Sequence, residues 1–76
     1  MIVQRREHKY ALCLRNEDCE DLEVRKVYVV LPDTEAEKEG YLRVVDESGD
    51  DYLYPHSYFT FVRLPRVAQR RVAAVA

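Results

Sequence analysis

Between Tyr10 and Leu64 the apolar residues fall in short runs of alternating character, and each run is soon stopped by proline, glycine or a knot of charge. A period of two over so few residues specifies strands, because successive side chains of a strand point to opposite faces. Residues 8–14 set Tyr10, Leu12 and Leu14 against Lys9, Ala11 and Cys13. Residues 25–31 set Val27, Val29 and Leu31 against Tyr28 and Val30, and their β-branched composition suits a strand. Further strands are expected at 41–46, 51–54 and 59–64, the last with Phe59, Phe61 and Arg63 on one side. Of the two faces this alternation offers, the expected core is Leu12, Leu14, Val27, Val29, Val44 and Leu53.

The connections are equally readable. Residues 15–21 are polar and charged, which makes a long loop. Pro32 and Asp33 stop the second strand; Asp33 or Thr34 could cap a helical turn over 34–38 and Gly40 could end it, but so short a segment cannot hold a helix by itself and is expected as a connecting loop. Glu47, Ser48, Gly49 and Asp50 form a hairpin turn, with Gly49 free to take positive φ. Pro55 is expected to break the ladder and to open a 3₁₀ turn through Tyr58, and Pro65 closes the last strand. Beyond it Leu64, Ala68, Val72 and Val75 share one helical face, while Arg66 and Arg70 share another.

A chain of 76 residues holds one small domain, which buries only about 60% of the surface its unfolded form exposes. It divides into a basic segment at 1–7, an all-β body at 8–64 and a basic tail with helical periodicity at 65–76. The chain is 47% apolar, with six tyrosines and no tryptophan. Tyrosine buries a ring while its hydroxyl reaches water or a partner, which suits a thin-walled body whose core lies close to solvent.

The formal net charge is −2, but its distribution says more than its size. Every acid except Glu7 lies between Glu17 and Asp51, where Arg25, Lys26, Lys38 and Arg43 are the only bases; the remaining Arg and Lys lie toward the two ends. An acidic middle argues against broad nucleic-acid binding by the domain body, since a phosphate backbone needs a basic face. Cys13 and Cys19 cannot form the dense disulfide framework of a tiny secreted domain, and the first residues lack the apolar run of a signal peptide, so a reducing cytoplasm is the expected location. No run of residues is long and apolar enough for a membrane helix. Cys13, Cys19, His8 and His56 do not make a zinc spacing, and neither cysteine is accompanied by an oxyanion-forming motif, so neither metal, cofactor nor catalysis is expected.

Several segments are similar to known ones. Leu53, Tyr54, Pro55, His56, Ser57, Tyr58 and Phe59 resemble the stretch of Src-homology-3 domains that surrounds the 3₁₀ turn. Ala11, Leu12, Cys13 and Leu14 stand where that family has its first Ala-Leu strand, and Asp21, Leu22, Glu23 and Val24 resemble the turn that closes its long first loop. Residues 22–28 and 40–46, together with Tyr52, Leu53, Tyr54 and Pro55, are similar to a group of small uncharacterised bacterial and phage proteins thought to share this fold. The resemblance covers residues 8–64 and implies a five-stranded Src-homology-3-like barrel. It also implies a non-catalytic binding module. Pro55 and Tyr58 match the family residue by residue, whereas the tryptophan that walls its proline groove has Tyr41 as the nearest substitute.

The acidic loop is the foremost candidate for binding, through Glu17, Asp18, Glu20 and Asp21, with Tyr41, Tyr54, Pro55 and Tyr58 as an aromatic surface beside it. Clustered carboxylates steer and hold a cationic partner, here a basic or proline-containing protein segment. The same carboxylates also serve as a solvated loop that keeps the domain in solution. The alternative is a nucleic-acid accessory domain acting through Arg66, Arg70 and Arg71. Those arginines could instead contact the chain's own acidic middle, or pair two copies as a homodimer in place of a monomer.

Overall fold

The computed structural model describes the backbone of residues 9–75 and the side chains as far as Arg71; His8 and the basic segment 1–7 lie outside the described residues. The chain runs β1 (Lys9–Cys13), β2 (Val27–Leu31), α1 (Thr34–Lys38), β3 (Tyr41–Val45), β4 (Asp51–Pro55), a 3₁₀ turn (His56–Tyr58), β5 (Phe59–Val62) and α2 (Arg66–Val75). All five strands join one antiparallel sheet in the order β4-β3-β2-β1-β5.

That order forces curvature. β4 and β5 are the two edges of the sheet, and across five flat strands they would stand about 19 Å apart. The 3₁₀ turn that joins them can reach only about 14 Å from Pro55 to Phe59. The sheet therefore curls until the rings of Tyr54 and Phe59 meet edge to face, 6.4 Å between centroids. It does not close, since β4 and β5 are not hydrogen-bonded neighbours.

The concave face carries the core: Ala11 and Cys13 from β1, Tyr28 and Val30 from β2, Leu42 and Val44 from β3, and Phe59 from β5, with Leu22 folded in from the loop between β1 and β2. This corrects the expected face of the first two strands. Leu14 and Leu53 are 48% and 44% exposed, Leu12 and Val27 are half-buried on the outer face, and of the expected set Val44 and Val29 are buried, Val44 within the concave cluster. Val29 is on the outer side of β2, the strand against which α2 lies. Both faces of β1 and β2 are apolar, so alternation alone could not choose between them. Curvature chooses: inside a tight bend Ala11 and Cys13 leave room for Tyr28 and Phe59, which meet edge-on at 6.4 Å, whereas leucines there would overfill the space.

Three local expectations also change. The 34–38 segment is a helical turn, not a plain loop, because the Asp33 carboxylate accepts from the Ala36 N–H at 3.0 Å and from Arg43 Nε at 2.7 Å, which ties the start of α1 to β3. Ala36 is the one buried residue of α1, and Gly40, at φ +87°, ends it. Pro55 does not break β4 but is its last residue, opposite Tyr41; on an edge strand its missing N–H costs no ladder bond. β2 begins at Val27, later than expected, because Arg25 takes the left-handed region at φ +73°.

A side chain with a Cβ is strained in that region by about 1–2 kcal/mol, and Arg25 is exposed. Arg25→Gly should therefore raise stability by about 0.5–1 kcal/mol after the added chain entropy of glycine is deducted. Thermal melting should show an increase of several degrees, and a decrease would refute the strain.

Candidate functional site: the acidic loop and its tyrosines

The loop 14–26 is held at several points along its length. Leu14 donates its N–H to the Tyr58 carbonyl at 2.7 Å, the Asn16 amide donates to the Leu22 carbonyl at 3.1 Å, and Asp21 accepts from the Glu47 N–H at 2.9 Å. Leu22, only 2% exposed, anchors the loop in the core. Its far end is fixed by Tyr28, whose hydroxyl accepts from the Glu23 N–H at 2.8 Å and donates to Glu47 Oε2 at 2.6 Å; the same oxygen accepts from Lys26 Nζ at 2.7 Å. These two partners hold the Glu47 carboxyl below its ordinary value, and burial, followed by the bond to Glu47, raises the Tyr28 phenol.

On this frame Glu17, Asp18, Glu20, Asp21 and Glu23 all face solvent. Among the described residues only Glu17 has an ion-pair partner, Arg15, at 3.1 Å. The Arg15 guanidinium also lies 5.4 Å from the centroid of the Tyr58 ring. The exposed arginine and carboxylate thus meet the half-buried ring of Tyr58 in one group, with Asp18 beside it in a left-handed turn at φ +61°.

The expected site residues do not all meet. Tyr54 and Tyr58 pack with Cys19 against the core, behind the loop. Tyr41 and Pro55 face each other across β3 and β4, and the next pair is Leu42 with Tyr54. Because Leu42 is in the core, Tyr41 and Pro55 project from the opposite face, and the sheet separates them from the tyrosines they were expected to join. Arg66, Arg70 and Arg71 are exposed on α2 and, among the described residues, pair with no carboxylate. The expected contact between the tail and the acidic middle is therefore not made within the described residues.

Two structural carboxylates were not anticipated. Asp46, 4% exposed, accepts from the Ser48 N–H at 3.0 Å, the Ser48 hydroxyl at 2.5 Å and the Tyr54 hydroxyl, and so locks the β3–β4 hairpin. Glu47 is the second. From sequence Asp46 reads as the end of the strand 41–46 and Glu47 as the start of the hairpin turn, and nothing there marks them as partners of distant tyrosines.

Cys13 and Cys19 are free thiols. Burial raises both, and Asp18 and Glu17 raise Cys19 further, which leaves the protonated, unreactive form at neutral pH. Among the described residues no cluster of His, Cys, Asp and Glu has the arrangement to hold a metal ion, and no helix is long and apolar enough to cross a membrane. No protein-family model, curated protein or solved structure matches the chain.

Proposed function

We propose that the chain is a non-catalytic binding module of the Src-homology-3-like class, and that its acidic loop takes an arginine-bearing segment of another protein. The class reading draws on the strand order, a meander of four strands with the fifth returning beside the first, and on the 3₁₀ turn that leads into the fifth. One observation carries the ligand reading: Arg15 rests over Tyr58 and pairs with Glu17. The chain's own arginine thereby models a guanidinium in an aromatic and carboxylate seat, while the neighbouring carboxylates of the loop pair with no cation among the described residues. Arg15 is exposed, its side chain 56% accessible, so a ligand arginine can replace it at little cost.

Exposed charge pairs contribute at most about 1 kcal/mol each, so binding is weak, on the order of micromolar to millimolar Kd. Titration of a short arginine- and proline-containing peptide, followed by amide chemical shifts, should perturb residues 15–20 and Tyr58, and added salt should weaken the response. Reversing Glu17, Asp18 and Glu20 to Lys should abolish it while the thermal midpoint stays within a few degrees. Arg15→Ala should strengthen binding about two- to fivefold by vacating the seat, a gain of under ~1 kcal/mol. Undiminished binding by the triple variant would reduce the loop to a solvated surface.

A further inference from the structure

The end of β1 and β5 remote from the acidic loop has the opposite character. Lys9, Tyr10, Phe61, Val62, Arg63, Leu64 and Gln69 line an open groove of about 650 Å³, and no carboxylate is among them. Phe61 pairs with Ala11 across β5 and β1, so it points to the core side of the sheet, yet it lies beyond the core and is 52% exposed. Lys9 Nζ stands 5.4 Å from its ring centroid. Gln69 closes the base of the groove by donating to the Leu64 carbonyl at 2.8 Å. An exposed phenyl ring costs hydration, and Lys9 and Arg63 have no carboxylate partner among the described residues. A ligand that brings negative charge and a flat ring relieves both.

We propose that this groove binds single-stranded nucleic acid, with a base stacked on Phe61 and the flanking phosphates held by Lys9 and Arg63. Stacking on an aromatic ring combined with a short basic track is the arrangement by which single strands are held without sequence preference. A duplex conceals its base faces and has nothing to offer Phe61. The acidic loop lies at the other end of β1, about 13 Å away along the strand by its rise per residue, so its repulsion of phosphate is attenuated there by screening. The site is independent of the peptide reading and could serve beside it.

The test is fluorescence anisotropy of a labelled ten-nucleotide oligothymidine, titrated with the full chain in low salt. A Kd on the order of 10⁻⁴ M is expected, the weak end of non-specific binding. The logarithm of affinity should fall with that of salt at a slope of about −1.4 for two phosphate contacts, and Lys9→Gln or Arg63→Gln should each remove about half of it. Phe61→Ala should weaken binding about tenfold, and Phe61→Leu, which keeps an apolar side chain, should weaken it almost as much; circular dichroism of both variants should match the parent. The acidic-loop triple variant should keep or improve binding. Absence of binding at about 1 mM protein, full binding by Phe61→Leu, equal affinity for a duplex, or tighter binding of an oligoglutamate would each overturn the proposal, the last by assigning the groove to acidic peptides.

Discussion

Val44→Asp should leave the chain without a cooperative fold. Val44 is fully buried at the centre of the concave face, 0% exposed, on a strand flanked by β2 and β4. A carboxylate there has no partner and must be desolvated or protonated, at a cost of several kcal/mol. A small domain has only about 5 kcal/mol in reserve. The contrasting variant is Leu53→Asp. Leu53 stands nearby on β4 but on the outer face and is 44% exposed, so its loss should cost about 1 kcal/mol or less. Thermal melts followed by circular dichroism should show no transition for the first variant and a nearly unshifted one for the second. The reverse ranking would mean that the core lies on the other side of the sheet.

The same pair of residues shows what was legible in the sequence. Strand positions, the hairpin at Gly49 and the 3₁₀ turn after Pro55 all follow from punctuation, which acts locally and leaves its mark in the residues that make it. The choice of face does not act locally. β1 and β2 are apolar on both sides, and the choice depends on the sheet curling tightly enough to bring Tyr54 to Phe59, a consequence of strand order that no single segment carries. Small residues at Ala11 and Cys13 read as unremarkable in sequence, yet they are what the inside of the bend requires. The helical turn of α1 exceeds what its own five residues predict for a related reason: Asp33 bridges from its start to Arg43, a residue on the following strand.

The binding surface divides in the same way. The carboxylates at 17, 18, 20 and 21 were visible because they are contiguous, and the loop does present them together. Tyr41 and Pro55 were assigned to that surface by resemblance, whereas the register that pairs Leu42 with Tyr54 turns them to the other face. Arg15 had no signal at all, because an arginine ahead of an acidic run looks like a boundary in charge and not like an occupant of Tyr58. Lys9, Phe61 and Gln69 come from β1, β5 and α2 and Arg63 from the connection between the last two, and they converge only after β5 has returned beside β1.

Alkali should unfold the domain through two tyrosines. Tyr28 and Tyr54 are both raised above the ordinary phenol value of 10.0, first by burial and then by hydroxyls that donate to the Glu47 and Asp46 carboxylates. A phenolate at either position would face a carboxylate with no proton between them. In the unfolded chain these phenols titrate at their ordinary value, while in the folded chain they keep their protons to higher pH. Their contribution is therefore complete below about pH 10 and is lost as pH rises beyond it, by about 1.4 kcal/mol per pH unit for each tyrosine. Two such groups would exhaust a reserve of about 5 kcal/mol within roughly two pH units. Melting temperature measured from pH 8 to 12 should hold steady and then fall steeply. At neutral pH Tyr28→Phe should cost about 2–4 kcal/mol, since it leaves the Glu23 N–H without its acceptor and removes a donor from Glu47. Its alkaline slope should be about half that of the parent. A Tyr28→Phe variant with the parent's stability at pH 7 and the parent's slope above pH 10 would show that the hydroxyl bridge from β2 to the loop and hairpin does not bear on folding.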